Sequence, residues 1–163
     1  IYEKGISTCS MSKTFSLPGL RLGWIACSKE LVNKIADIRH YYTMEMGTID
    51  EVIAAIAIEN KDKIIKRNKD IIKENIRLID DWVNREKRLC YRRPDAGSVA
   101  LIKYDFNISS VEFCEKLINA KGIMLMPGEA FDLDKHFRIG LVTKPEIMKI
   151  GLNEISGFMK TLS

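Results

Sequence analysis

Residues 10–24 read SMSKTFSLPGLRLGW, and this stretch carries more information about the chain than any other. It holds Lys13 in a turn that is rich in serine, glycine and proline. Apolar segments at about 5–9 and 21–27 flank the turn and favour short β-strands. We therefore expect Lys13 to lie between two strands, where little bulk water reaches it.

The side chains around Lys13 suit one kind of ligand. A lysine withdrawn from bulk water beside a cation is a usable nucleophile towards an aldehyde. The hydroxyls of Ser10 and Ser12 and the guanidinium of Arg21 can bind a phosphate through charge-assisted hydrogen bonds. Together these residue types predict a site for a phosphorylated aldehyde. The commoner alternative is a surface lysine in an ordinary serine-rich loop.

The spacing of these residues resembles the pyridoxal-phosphate lysine signature of class I and II aminotransferases. That signature is Ser-x-Ser-Lys, followed by an apolar Gly-x-Arg-x-Gly-aromatic segment. The resemblance implies that Lys13 forms a Schiff base with pyridoxal 5′-phosphate. It also implies that Ser10 and Arg21 bind the cofactor phosphate, with Ser12 as an auxiliary ligand. The function implied is that of a homodimeric enzyme that moves an amino group between an amino acid and a 2-oxo acid.

Two downstream segments are similar to the same family. Residues 124–131, MLMPGEAF, resemble its strand and Pro-Gly turn, and residues 136–141, HFRIGL, resemble the strand whose arginine binds the substrate carboxylate. The resemblance assigns that role to Arg138, because a planar guanidinium donates two parallel hydrogen bonds to a carboxylate. Gly97 resembles a loop glycine that lets the backbone approach the substrate. Residues 47–48 lie where some members reach into the partner subunit's site.

The fold class implied is α/β, the C-terminal part of a fold-type I pyridoxal-phosphate enzyme. It comprises the end of the large-domain sheet (1–48), a long interdomain helix (49–88) and a small α/β sandwich domain (89–163). The resemblance covers only the C-terminal part of the family's chain. We therefore expect a fragment that is inactive by itself, since the family's group on the pyridine nitrogen belongs to the N-terminal part.

Local patterns predict the individual elements. Helical periodicity and a capping serine predict a helix over 29–41. The apolar positions of 49–88 predict a long helix, with a break possible near Asn60. In the remainder we expect a strand at 98–104, a helix at 109–121, a short strand at 122–126, a turn at 127–128, a strand at 136–142 and a final helix from Pro145.

Composition excludes several classes of protein. The chain has 163 residues, of which 46% are hydrophobic and 29% charged, as in an ordinary globular domain. Apolar runs such as 52–58 are too short to cross a bilayer. The 26 basic and 22 acidic residues nearly cancel, which argues against a nucleic-acid partner. The four cysteines lack metal-ligand spacing, so we expect free thiols, no metal site and a cytoplasmic location.

Two alternatives stay open. Pyridoxal-phosphate-dependent lyases, cyclases and synthases use the same anchoring residues, so the reaction type is less determined than the cofactor. The helical stretch 49–88 is also compatible with a noncatalytic interaction module. A domain link is the favoured interpretation, because the stretch supplies barely the three heptads that a coiled-coil seam requires.

Overall fold

The computed structural model describes residues 4–43 and 45–162. The chain divides into two compact units, Ile1–Asn68 and Lys69–Ser163, and each is described by itself. This division differs from the boundaries predicted after residues 48 and 88. The reason is that the long helical stretch contributes residues to both cores.

The first unit is built on a two-stranded antiparallel hairpin. Strand β1 (Ser7–Ser10) pairs with β2 (Gly23–Ala26), and Ser10 lies opposite Gly23. A short 3₁₀ turn (Pro18–Leu20) interrupts the connection between them. Strand β2 lies within the segment predicted at 21–27, and β1 overlaps the segment predicted at 5–9 and ends one residue later.

Two further helices belong to the first unit. Helix α1 (Lys29–Tyr42) begins as predicted, with the Ser28 hydroxyl accepting a hydrogen bond from the backbone N–H of Leu31. Helix α2 (Thr48–Glu59) is mostly apolar. Its small residues Ala54 and Ala57 are buried against the connection between the two strands. The buried part of this core is Met11, Phe15, Ala54 and Ala57, with Leu17, Leu20, Leu22 and Ile64 packed around it.

The stretch predicted as one helix over 49–88 forms two helices. After α2, Asn60 has φ −101° and ψ 18°, outside the helical range, and α3 (Lys61–Arg85) begins at the next residue. The Asn60 side-chain amide donates to the Ile56 carbonyl over 2.9 Å. Asparagine favours such local bonds over continued helix, which accounts for the break at this position.

The second unit contains four strands, β3 (Leu89–Tyr91), β4 (Val99–Tyr104), β5 (Met126–Pro127) and β6 (His136–Gly140). They form an antiparallel sheet in the order β3-β4-β6-β5. Helix α4 (Ser110–Lys121) connects β4 to β5, and α5 (Pro145–Met159) follows β6. The predicted helix at 109–121 is thus confirmed, with Ser109 as its cap. The strand predicted at 136–142 ends earlier.

One face of this sheet forms the core of the second unit. Alternate residues of β4 and β6, such as Ile102, Tyr104 and Phe137, are buried with residues from α3, α4 and α5. Phe113 of α4 stacks on both Tyr104 and Phe137, with ring centroids 4.7 and 5.3 Å away, and those two rings lie 6.3 Å from each other. Because successive side chains of a strand alternate between faces, Leu101 and Arg138 lie on the opposite face.

A helix that crosses a bilayer must be both long and predominantly apolar. Within residues 4–43 and 45–162, no helix combines the length and apolar character that crossing a bilayer requires.

Candidate functional site

The turn that carries Lys13 is held by backbone hydrogen bonds. The Met11 N–H donates to the Leu22 carbonyl and the Leu17 N–H donates to the Met11 carbonyl, both over 3.0 Å. Asn68 of α3 adds a side-chain bond, from its amide to the Thr14 carbonyl over 2.9 Å. The backbone on both sides of Lys13 is therefore fixed within the first unit.

The Lys13 side chain is exposed, which corrects the expectation that the turn withdraws it from water. Its neighbours Met11 and Phe15 take the buried positions and are 1% and 6% exposed. A hairpin of only two strands has no further strand to cover the intervening side chain. The turn thus fixes the backbone of Lys13 and leaves its ammonium group accessible to a ligand.

Three predicted phosphate ligands come together beside this turn. Nη1 of Arg21 donates to the Ser12 hydroxyl over 3.3 Å and to the Pro18 carbonyl over 2.9 Å. The Ser12 backbone N–H donates to the Ser10 hydroxyl over 3.1 Å. Arg21 has φ +52°, in the left-handed region. That conformation brings the guanidinium back over the turn that precedes it.

The donors in this cluster fit a phosphate. A guanidinium has five N–H groups in a planar fork, and the two bonds of Arg21 both use Nη1. The remaining N–H groups and the hydroxyls of Ser10 and Ser12 are suitable donors to phosphate oxygens. The residues present therefore fit the phosphate of the cofactor that the sequence implied.

A close backbone approach explains one glycine of the segment. A Cβ atom on Gly23 would lie 2.4 Å from the Cys9 carbonyl oxygen on the paired strand. Real Cβ atoms essentially never approach so closely, so only glycine keeps this register. Gly19, in the same connection, has nothing within 4 Å of its Cβ position. The two glycines of the motif therefore have different structural requirements.

Arg138 lies in the second unit, on the sheet face opposite the core. It sits in β6 between Leu101 of β4 and Met126 of β5. Its Cζ lies 4.8 Å from the centroid of the Phe131 ring, a cation–π contact. In the part of the chain that the structure describes, no carboxylate pairs with Arg138. The Phe131 ring thus covers one face of the guanidinium, and the N–H groups of Arg138 are able to donate to a carboxylate ligand.

The Pro-Gly turn before Phe131 is tied to the start of α4. Both the N–H and the hydroxyl of Ser110 donate to Oε1 of Glu129, over 3.0 and 3.1 Å, and the Glu129 N–H donates to the Ser110 hydroxyl over 3.0 Å. Gly128 is also required, because its Cβ would lie 2.1 Å from the Leu133 carbonyl oxygen. This network fixes the turn whose Phe131 ring contacts Arg138. Sequence reasoning missed it, since the two halves lie 19 residues apart.

A second residue that sequence reasoning missed is Asn75 of α3. Its side chain is fully buried, and Nδ2 donates to the carbonyls of Leu141 and Thr143 over 2.9 and 2.7 Å. These bonds hold the segment directly after β6. The signal available in the sequence is its place among Ile72, Ile76 and Ile79, a polar residue in an apolar helical stripe.

Gly97, the other predicted substrate residue, lies in the connection between β3 and β4. It has φ +97°, a conformation that side-chain-bearing residues rarely adopt, and nothing surrounds its Cβ position within 4 Å. Backbone conformation, and not crowding, is the reason for glycine here. The predicted residues thus form two groups, with Ser10, Ser12, Lys13 and Arg21 in the first unit and Gly97 and Arg138 in the second.

These features define the class of protein: the C-terminal part of a fold-type I pyridoxal-phosphate-dependent enzyme. The chain belongs to the class I and II aminotransferases, because the model of that family matches residues 2–155. This confirms the family that the lysine motif predicted. It also confirms the cofactor of that family, pyridoxal 5′-phosphate.

Individual relatives support the assignment. The chain is 30% identical to capreomycidine synthase of Streptomyces vinaceus, over 94% of this chain and 40% of that enzyme. It is 29% identical to an aspartate aminotransferase of Sulfurisphaera tokodaii, over 99% of this chain and 41% of the relative. It therefore spans about two-fifths of the length of these curated relatives.

Solved structures show the same relationship. A pyridoxal-phosphate-dependent aminotransferase from Streptococcus suis superposes with a TM-score of 0.95 and 32% identity, over 100% of this chain and 44% of the other. A pyridoxal-phosphate-dependent cyclase, OrfR, superposes with a TM-score of 0.90 and 26% identity, over 97% of this chain and 44% of the other. Both an aminotransferase and a cyclase are thus similar to this chain.

Proposed function

We propose that this chain is part of an aminotransferase that moves an amino group between an amino acid and a 2-oxo acid. The observation that carries the proposal is the cluster of Ser10, Ser12 and Arg21 beside the fixed turn of Lys13. Since the chain spans about two-fifths of its relatives, the activity belongs to the longer protein.

Lys13 has two roles in this proposal. Pyridoxal 5′-phosphate supplies an aldehyde and a ring that takes up the electron pair of a breaking Cα–H bond. Nζ of Lys13 is the nucleophile for that aldehyde, and it is accessible because the side chain is exposed. When that nitrogen is free, it would act as the base that removes the proton at the substrate Cα.

The other residues bind and orient. Arg21, Ser12 and Ser10 hold the phosphate through charge-assisted hydrogen bonds. Arg138 binds the substrate α-carboxylate with two parallel hydrogen bonds, while Phe131 supports one face of its guanidinium. Holding the carboxylate at two points restricts rotation of the substrate and so orients its Cα–H bond. We also assign to Gly97 the role of letting the backbone approach the substrate.

A second candidate function is a cyclisation or synthase reaction with the same cofactor. Capreomycidine synthase and the cyclase OrfR are both similar to this chain, which favours this alternative. The residues that bind the phosphate and the carboxylate serve either reaction, because they anchor groups that do not react.

The attachment of the cofactor tests the site. We would reduce the protein with borohydride in the presence of pyridoxal 5′-phosphate and locate the added mass by peptide mapping. We expect the mass on the peptide that contains Lys13, and its loss in Lys13→Ala but not in Lys29→Ala, which removes an exposed lysine at the start of α1. A mass addition elsewhere would overturn the assignment of Lys13.

Product analysis separates the two reactions. Incubation with single amino acids should yield the matching 2-oxo acid and the aminated form of the cofactor if the protein is an aminotransferase. A cyclised or substituted amino acid, with the cofactor unchanged at the end, would instead support the alternative. The two outcomes depend on different products, so one mass-spectrometric assay distinguishes them.

Helix α2 supports the further proposal of a homodimer. Ile49, Val52 and Ile56 lie on one face of this helix and are 76%, 55% and 55% exposed. An apolar face of this kind is typical of an interface. Ile56→Asp should weaken self-association at least about tenfold in sedimentation experiments, because a buried unpaired carboxylate is costly. Lys63→Glu on α3 is the control, and equal effects of both changes would contradict the proposal.

We also infer a reducing, cytoplasmic compartment. All four cysteines, Cys9, Cys27, Cys90 and Cys114, are free thiols. Such thiols persist where glutathione and thioredoxin keep proteins reduced. Cell fractionation of the tagged protein would test this inference, and its recovery outside the cytoplasm would contradict it.

A further inference from the structure

A groove of about 490 Å³ lies on the second unit, over the sheet face opposite the core. Its lining includes side chains from three strands and from the residue directly after β3: Cys90 of β3, Arg92, Val99, Leu101 and Lys103 of β4, and His136 of β6. Arg138 does not line it, although Leu101 is the residue that pairs with Arg138. The groove therefore adjoins Arg138 at Leu101 but includes none of the residues to which substrate binding was assigned.

The sheet register places three reactive or ionisable side chains in one row across this groove. Cys90 lies opposite Lys103, and Lys103 lies opposite His136. Side chains directly opposite each other on neighbouring antiparallel strands have Cβ atoms about 5 Å apart. A thiol, an ammonium group and an imidazole are thus adjacent on one face. Cys90 and Lys103 lie 13 positions apart along the chain, and Lys103 and His136 lie 33 positions apart. Their proximity therefore results from the pairing of the strands.

The charge of the groove is positive. Its lining includes Arg92 and Lys103 but no aspartate or glutamate. Neither cation has a carboxylate partner within residues 4–43 and 45–162. Nδ1 of His136 is 2.8 Å from the Asp134 carbonyl, which can only accept, so Nδ1 carries the proton. Nε2 of that ring is then left for a ligand.

We propose that this groove binds a small organic anion. Its carboxylate or phosphate group pairs with Lys103 and Arg92, and its apolar body lies against Val99 and Leu101. Cys90 occupies the same groove, so its thiol reports on the binding. This proposal is independent of the proposed aminotransferase function, because it uses none of the residues assigned to that reaction.

Disulfide exchange at Cys90 makes the binding measurable. The Cys90 thiol releases its proton to solvent, and the thiolate attacks one sulfur of an added aromatic disulfide. The reagent's S–S bond breaks, a new S–S bond joins Cys90 to one half, and the other half leaves as a thiolate. A reagent that carries carboxylates is attracted by Lys103 and Arg92 before it reacts, whereas a neutral reagent is not.

The experiment compares dithiobis(nitrobenzoate), a dianion, with dithiodipyridine, which is neutral and also aromatic. The modified peptides are quantified by mass spectrometry, so that Cys90 is read separately from Cys9 and Cys27. Cys114 serves as an internal control, because burial raises its pKa to about 11 and keeps it protonated at neutral pH. We expect the dianion to react faster at Cys90, and high salt to remove its advantage.

Substitutions test whether the two cations of the groove cause the faster reaction of the dianionic reagent at Cys90. Lys103→Met keeps the aliphatic stem and removes the charge, and Arg92→Gln does the same for the second cation. Each should lower the ratio of the dianionic to the neutral rate at Cys90 about fivefold, as expected for one unit charge at close range in water. The neutral reagent measures any effect of the lost cation on the thiolate itself, so this ratio isolates the attraction of the dianion. Lys149→Met, which removes an exposed lysine of α5, is the matched control and should change neither rate.

A second measurement does not depend on the charge of the reagent. Isophthalate, an unreactive aromatic dicarboxylate, should protect Cys90 from the neutral disulfide, and benzamide at the same concentration should not. Protection should weaken in Lys103→Met and in Arg92→Gln. The proposal is overturned if isophthalate gives no protection, or if both reagents respond alike to the removal of either cation.

Discussion

Nη1 of Arg21 lies 3.3 Å from the hydroxyl oxygen of Ser12, although the two residues lie nine positions apart in the chain. The left-handed backbone of Arg21 returns its side chain to the turn, where it also meets the Pro18 carbonyl. A guanidinium and a serine hydroxyl at this distance can bind the same phosphate. This relationship is the structural basis of the proposed cofactor site.

Removal of the Arg21 guanidinium should weaken cofactor binding. Hydrogen bonds to charged groups contribute about 1.5–3 kcal/mol each, so Arg21→Gln should raise the dissociation constant of pyridoxal 5′-phosphate by about tenfold or more. Fluorescence titration of the protein measures this change. Arg39→Gln, in the last turn of α1, is the control and should bind normally. Equal affinity of Arg21→Gln and the wild type would remove Arg21 from the site.

A methyl group at Gly23 should separate the two strands of the hairpin. Its Cβ would lie 2.4 Å from the Cys9 carbonyl oxygen, so the register has to shift. Overpacking of this kind costs about 1–3 kcal/mol, and we expect Gly23→Ala to lower the free energy of unfolding by that amount. Urea denaturation is the measurement. Gly19→Ala has open space around its Cβ position and should be nearly neutral.

Loss of the Asn75 amide should destabilise the second unit. Asn75→Leu leaves two carbonyls, of Leu141 and Thr143, without their donor in a buried place. A buried polar group without a partner costs about 1–3 kcal/mol, and Asn75→Asp should cost more because a carboxylate cannot donate to a carbonyl. Denaturation curves compare these variants with Asn84→Leu, an exposed position on the same helix. Similar stabilities of Asn75→Leu and Asn84→Leu would contradict the prediction.

Substitution of Arg138 should weaken the binding of the substrate carboxylate. Arg138→Lys keeps the charge but loses the two parallel hydrogen bonds, so KM for amino acids should rise by about tenfold or more. Phe131→Leu removes the cation–π contact, which contributes about 0.5–1 kcal/mol at an exposed site, and should raise KM only a few-fold. Steady-state kinetics of the full-length protein measure both. An unchanged KM in Arg138→Lys would assign carboxylate binding elsewhere.

Local sequence patterns predicted much of the first unit. The two strands and helix α1 formed where apolar segments and the Ser28 cap indicated, because turn chemistry and capping involve residues only a few positions apart. The sequence also indicated a possible break near Asn60, which is where α2 and α3 separate. Strand β3 was missed, since three residues are too few to show a period.

The exposure of Lys13 could not be predicted from its neighbours in the chain. A serine- and glycine-rich turn between apolar strands suggested a protected position, but exposure depends on which other elements cover the turn. In the first unit, Met11 and Phe15 are covered by α2, and the lysine between them is not. Burial is thus a property of the packed elements and not of the motif.

The sequence by itself determined the family, through the spacing of Ser10, Ser12, Lys13 and Arg21 in a single segment. Only the tertiary structure decided which distant groups meet. Asn75 reaches carbonyls 66 and 68 residues away, and the row of Cys90, Lys103 and His136 exists only because three strands pair in one register. The physical reason is that a motif reports the local conformation of the backbone, whereas contacts between strands and helices depend on the free energy of the whole core.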